Sequence, residues 1–327
     1  MMSFIDPHGR KIDYLRLSLT EHCNLRCFYC MPAESKCTAH SSSQLTFDEI
    51  ERVVAAFAAL GVYRLRLTGG EPLLRKGVAE LAARLNAVPG IEDLSMSTNA
   101  MLLAHHGAAL RNAGVSRLNI SLDSLNPDRF ARITHGARLE DVFAGLEAAK
   151  HAGFSPIKIN MLVMKGINDD EVVDMAHYCL DQGFTLRYIE TMPMGAGGQQ
   201  AFSHYLPLDV VKDRLAAQFQ LVEDIASGGG PARYLRIPGS KTQIGFITPL
   251  SRHFCATCNR VRLGADGTLY MCLGNTHSVA LKPHLRQGIS ESGLVEVIQN
   301  ALAIKPLRHN FEQQAGQINR AMSATGG

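Results

Sequence analysis

The strongest constraint on this chain is a repeat about 30 residues long. Six short runs with apolar residues at alternate positions lie at 14–20, 64–68, 93–99, 117–123, 157–164 and 185–190. Stretches with helical spacing lie between them. Thr46-Phe-Asp-Glu49 has the form of a capping box ahead of a helix over 47–60. Gly114 and Gly153 stand where a helix C-terminus favours glycine. Alternating strand and helix signals build a parallel sheet with right-handed crossovers. Six units fall short of the eight that close a TIM barrel. The expected fold is therefore α/β, a partial (βα)6 TIM-type barrel over 1–225.

The array thins after a helix near 208–218, and the Ala-Ser-Gly-Gly-Gly-Pro run at 226–231 reads as a turn or linker. Short strands at 232–237, 243–248, 260–263 and 268–271 and a helix at 291–303 make 226–327 an α+β cap.

The strands have two faces, because side chains alternate along them. Leu15, Leu17, Leu65, Leu67, Leu94, Leu118, Ile120, Ile157 and Ile159 form the apolar face, which packs on helices. The other face carries Arg16, Arg64, Arg66, Ser95, Ser97, Asn119, Ser121, Lys158, Asn160 and Arg187. A closed barrel fills its interior with branched aliphatics. Buried charges without compensation would cost several kcal/mol each. Two readings follow: the arginines reach water at strand ends, or they line a wet lumen that binds a polyanion through guanidinium forks.

A net charge of +3 is too small for a general nucleic-acid binder, so any anion site must be local. The absence of tryptophan also speaks against a basic, aromatic RNA-binding face. The longest clean apolar run, 53–60, is too short for a membrane span. The first residues lack a signal-peptide pattern, which points to the cytoplasm.

Eight cysteines in such a chain are not read as disulfides. Cys23, Cys27 and Cys30 directly follow the first strand, where barrel enzymes do their chemistry. Cys255, Cys258 and Cys272 form a second trio around a turn at 265–267. Cys37 and Cys179 are read as incidental. Three thiolates can hold three irons of a cubane and leave the fourth open. Zinc remains an alternative, at the second trio with His253 or His277 as fourth ligand. On an extended segment Cys258, Arg260 and Arg262 share a face. The polar tail ending in Gly326 and Gly327 reads by composition alone as disordered.

Cys23-Asn-Leu-Arg-Cys27-Phe-Tyr-Cys30 resembles the signature of the radical S-adenosylmethionine (SAM) superfamily, and Thr68-Gly-Gly-Glu-Pro72 its GGE motif. The segment from Phe254 to Cys272, with Lys165-Gly-Ile-Asn-Asp169 and Met322-Ser-Ala-Thr-Gly-Gly327, resembles the GTP 3′,8-cyclases of molybdenum cofactor biosynthesis over essentially the full length. The resemblance implies two [4Fe-4S] clusters, one on each trio, with SAM at the first and GTP at the second. It implies SAM contacts at Tyr29, Gly70, Ser121 and Met192. It implies GTP contacts at Arg16, Arg66, Ser97, Lys158, Arg260 and Arg262, with Arg187 a further phosphate candidate. Arg260, Arg262, Gly326 and Gly327 would serve catalysis. A 5′-deoxyadenosyl radical would take the 3′-hydrogen of GTP, and C3′ would bond to C8 of guanine. Reduction and protonation would then give 3′,8-cyclo-7,8-dihydro-GTP. A low-potential electron donor and a downstream cyclic pyranopterin monophosphate synthase are implied partners, in a monomer or homodimer. A peptide-modifying radical SAM enzyme is the rival, but no peptide-recognition domain precedes Tyr14.

Overall fold

The computed structural model describes residues 4–31, 44–224, 230–311, 318 and 320–326. Cys37, Gly327 and most of the 226–231 turn lie outside them. The barrel strands are β1 (Tyr14–Ser18), β2 (Arg64–Thr68), β3 (Asp93–Thr98), β4 (Arg117–Ser121), β5 (Ile157–Val163) and β6 (Thr185–Glu190). Five helices lie between β1 and β5: α1 (Phe47–Ala59), α2 (Val78–Asn86), α3 (Leu103–Asn112), α4 (Pro127–Thr134) and α5 (Leu139–His151). α6 (Val172–Gln182) precedes β6, and α7 (Gly195–Ala201) and α8 (Leu208–Ala216) follow it. Then come β7 (Val222–Asp224), β8 (Arg233–Arg236), β9 (Gln243–Ile247), β10 (Arg260–Leu263), β11 (Thr268–Tyr270) and β12 (Ser278–Ala280). α9 (Lys282–Arg286), α10 (Glu291–Leu302) and α11 (Met322–Thr325) complete the chain.

All six expected barrel strands form. Several stop a residue or more early, because the next backbone groups turn to other partners. Asn99 N, just past β3, donates to the Glu71 carboxylate at 2.8 Å instead of continuing a ladder.

The C-terminal strands do not build a separate sheet. One sheet runs β12-β11-β10-β1-β2-β3-β4-β5-β6-β9-β8-β7. β10 pairs in parallel with β1, and β9 in parallel with β6. The parallel stretch is thus two strands wider than the six βα units, and the C-terminal region supplies both extra strands. This pairing places the second cysteine trio beside the first strand.

Helix α1 shows how the outer layer is held. Thr46 Oγ1 accepts from Glu49 N at 3.2 Å, and the Glu49 carboxylate accepts from Thr46 N at 2.7 Å, which closes the capping box. Its buried Ile50, Val53, Val54 and Phe57 share one core with Leu15, Leu17, Leu65 and Leu67. Each such side chain contributes about 1.5–3 kcal/mol on leaving water.

The lower end of the barrel is electrostatically closed. Arg64 lies 3.7 Å from Asp13 and 3.9 Å from Asp93, and Arg117 also pairs with Asp93. Arg64 shares strand parity with the lumen arginines, but it begins its strand and is neutralised there.

The glycines after β2 meet the chain's own backbone. Gly70 N donates to Thr20 O at 2.8 Å, and Glu71 N to His22 O at 2.7 Å. A Cβ on Gly70 would lie 2.3 Å from His22 O. The close approach that requires glycine is therefore to the loop leading into Cys23. Glu71 pins the same corner: its buried carboxylate accepts from Leu73 N at 3.0 Å and Thr98 Oγ1 at 2.8 Å, besides Asn99 N. Burial lifts its acid up to about 7, against the pull of these donors.

Gly70→Ala should push the Cys23 loop off β2 and strip iron from anaerobically purified protein, with the sheet still folded by circular dichroism. Glu71 holds its proton more tightly folded than unfolded. Its contribution is therefore most favourable below its ordinary acid range and falls as pH rises toward about 7. The stability of wild type relative to Glu71→Gln, read from urea midpoints, should fall by about 3 kcal/mol as pH rises across that window.

Candidate active site in the barrel lumen

Strand register sets the lumen. Arg262 on β10 stands beside Arg16 on β1, and Arg16 beside Arg66 on β2. Three guanidinium side chains therefore occupy one rung across three strands. Arg260 and Tyr14 form the rung below. Arg187 on β6 faces in from the far side, opposite Asn160 of β5. Arg16, Arg187, Arg260 and Arg262 are only 4–8% exposed.

Among the described residues none of these five arginines pairs with a carboxylate. Their partners are neutral: Arg66 Nε donates to Ser95 Oγ at 3.3 Å, and Arg187 Nη2 to Asn119 Oδ1. Among the described residues, Nε of Arg16, Arg187 and Arg260 makes no hydrogen bond. Burial, and then crowding by like charges, brings Arg16 and Arg66 down to about 10. Burial alone would raise the Tyr14 phenol, but Arg66, Arg16, Arg260 and Arg187 outweigh it and lower it. Orphaned buried donors cost about 1–3 kcal/mol each and more when charged. An anion would satisfy them.

The second cysteine trio opens into the same space. Cys255, Cys258 and Cys272 line one cavity with Arg16, Arg66, Arg187, Arg260 and Arg262. Two cations that sequence reasoning missed support the trio. Buried Lys305 donates to Met271 O at 2.6 Å and Arg260 O at 2.9 Å, with Cys258 Sγ at 3.9 Å. Arg10 donates to Cys255 O at 2.8 Å. Burial raises the Cys258 thiol, yet Arg260, Lys305 and Arg10 bring it down to about 7.

The first trio is different. Burial first, then Asp123 and the neighbouring thiols, push Cys27 well above its ordinary range; burial and Cys23 push Cys30 up to about 12. Crowded sulfurs of this kind ionise when a cationic metal group sits among them. Leu25 N reaches Cys23 Sγ at 3.4 Å and Asn99 Nδ2 at 3.8 Å, donors suited to thiolate. Both trios thus fit iron–sulfur ligation. Among the described residues no three His, Cys, Asp or Glu side chains converge on a single-ion site, with or without His253 or His277.

The tail lies inside the barrel. Gly326 has φ +69°, and a Cβ on it would meet Thr68 Oγ1 at 2.3 Å. Arg262 Nη1 donates to Thr325 O at 3.2 Å and to Gly326 O. The backbone at Ser323 opposes the rise of the Cys30 thiol that burial causes.

The remaining sequence-derived positions scatter more. Met192 lines the arginine cavity and packs against the cluster of Met194, Phe311 and Ile318. Tyr29 donates its hydroxyl to Asp123 at 2.6 Å. Ser121 is exposed at the upper end of β4. Lys158 does not line the cavity; its Nζ lies 3.5 Å from the Tyr234 hydroxyl, and burial with Arg187 nearby brings it down to about 8. Ser97 pairs with Asn119 in register and is not part of the cavity wall either. Cys179 is buried in α6, away from both trios.

Residues 17–179 match the family model "Radical SAM superfamily", and residues 184–311 match "Molybdenum Cofactor Synthesis C". A GTP 3′,8-cyclase of Pseudomonas entomophila is 46% identical over 99% of this chain and 98% of its own length. One from Hydrogenovibrio crunogenus is 43% identical over the whole of both chains. The crystal structure of Streptococcus suis SuiB bound to S-adenosylmethionine superposes with a TM-score of 0.64 at 14% identity, covering 95% of this chain and 69% of that one. That likeness carries the fold alone. By full-length identity, the chain belongs to the GTP 3′,8-cyclase family of the radical SAM superfamily.

Proposed function

We propose that this chain converts GTP to 3′,8-cyclo-7,8-dihydro-GTP, the first step of molybdenum cofactor biosynthesis, with one [4Fe-4S] cluster on each cysteine trio. The observation that carries the reading is the single cavity walled by five carboxylate-free arginines and the second trio. Only a ligand that is both polyanionic and able to coordinate iron uses both walls. A nucleoside triphosphate with a purine base is such a ligand.

Bound clusters and SAM would supply the electron and the 5′-deoxyadenosyl radical that takes the 3′-hydrogen. The chain's own residues bind, orient and exclude water. Arg16, Arg66 and Arg187 take phosphate oxygens, with Lys158 behind them and Ser97 beside Asn119 as further polar groups. Arg260 and Arg262 flank the second trio and hold the nucleotide against it. Around SAM, Gly70 offers its carbonyl oxygen, because its N–H is engaged by Thr20. Tyr29 offers its ring, because its hydroxyl is held by Asp123. Ser121 and Met192 complete that set. Gly326 helps close the lumen, where water would quench a radical. A low-potential donor supplies electrons, and a cyclic pyranopterin monophosphate synthase takes the product; the chain works as a monomer or homodimer.

The peptide-modifying alternative shares the fold but gives the arginine rung no task.

Anaerobically purified protein should carry about eight irons per chain. It should release 5′-deoxyadenosine from SAM and reductant only when GTP is present. Zinc in place of iron, or SAM cleavage indifferent to GTP, would contradict the proposal. Arg66→Ala should raise the KM for GTP by about 10-fold or more with iron content unchanged, through loss of charge-assisted bonds.

A further inference from the structure

The tail is held where it enters the lumen as well as at its tip. Arg320 lies two residues before α11. Its guanidinium sits 4.0 Å from the centre of the Tyr270 ring. Its Nη2 donates to Leu273 O at 2.8 Å and to Asn275 O at 3.3 Å. Those carbonyls belong to the loop that leaves Cys272. A planar guanidinium suits this combination of stacking on one face and donating from an edge. Six residues on, Gly326 O accepts from Arg262 Nη1. The spacing from Arg320 fixes which amide reaches which partner. A slip that brought Thr325 into the place of Gly326 would set a side chain against Thr68, where no Cβ fits.

We propose that Arg320 is a positioning residue: it anchors the C-terminal tail to the Cys272 loop and so sets how far the tail reaches into the lumen. The anchor couples the two halves of the site. The loop leaving one cysteine trio holds the tail, and the tail's end meets Arg262 of β10 and Thr68 of β2. The proposal rests on the reading of this lumen as the active site, but its primary readout is independent of turnover.

The test is amide hydrogen–deuterium exchange on the anaerobic holoenzyme, reading the C-terminal peptide against peptides from the barrel strands. Arg320→Ala should speed exchange of the tail amides by about tenfold or more, as expected when two hydrogen bonds and a stacked cation are lost together. Strand peptides and iron content should stay at wild-type levels. Arg320→Lys, which keeps charge and donors but not the plane, should recover part of the protection. Tyr270→Leu should loosen the tail without touching Arg320, and it keeps the test open if the alanine variant folds poorly. Product formation should fall in kcat, with the KM for SAM unchanged, in proportion to lost protection.

A tail that exchanges at the wild-type rate in both Arg320→Ala and Tyr270→Leu would overturn the anchor. So would lost turnover with the tail still protected. A freed tail with full turnover would uphold the anchor and reject a catalytic part for the tail, so the two ideas fail separately.

Discussion

Like charge that no carboxylate among the described residues neutralises is the constraint on which this structure turns. Strand register sets Arg262, Arg16 and Arg66 side by side across three parallel strands. Neighbouring like charges on a sheet repel, and burial removes the water that would screen them. The fold does not relieve this with carboxylates. It spends its nearby aspartates, Asp13 and Asp93, at the lower end of the barrel on Arg64 and Arg117. The lumen is left with a stored positive potential and, among the described residues, with Nε groups on Arg16, Arg187 and Arg260 that make no hydrogen bond. Hydrophobic packing outside the sheet carries that cost: the strand faces behind these arginines are leucine and isoleucine, fully buried under α1 to α6.

The same arrangement explains why the C-terminal region sits where it does. β10 delivers Arg260 and Arg262 to the lumen by pairing with β1, and it brings Cys258 with them. Lys305 and Arg10, from distant points of the chain, then brace the cysteine loop through backbone carbonyls. On the other side, Gly70 and Glu71 lock the loop before Cys23 against β2 and β3. Two cysteine-bearing loops are thus fixed by separate devices, and the tail spans between them.

The sequence carries much of this, and its silences have physical reasons. Alternation along each strand identifies the face on which Arg16, Arg66 and Arg187 lie. Parity fixes face but not height, so it cannot separate Arg16 from Arg64, which the aspartates neutralise. Cysteine spacing marks both trios, because thiolate ligands must be close in sequence or strand-paired. Lys305 and Arg10 leave no such trace: each acts through backbone carbonyls of a loop far away in sequence. The pairing of β10 with β1 is likewise a long-range choice that no local pattern encodes, which is why the C-terminal strands read as a separate cap. The glycines after β2 are legible as a close approach. That the approaching group is Thr20–His22 backbone needs the three-dimensional register.

The account stands on the cationic lumen being the nucleotide site, and comparative binding tests that most directly. GTP and guanosine should be titrated into the anaerobic holoenzyme by calorimetry at several salt concentrations. GTP should bind about 100-fold more tightly than guanosine at low salt, since two or more charge-assisted contacts separate them. That advantage should shrink as salt rises and screens the rung. Equal affinities for the two, unmoved by salt, would contradict it.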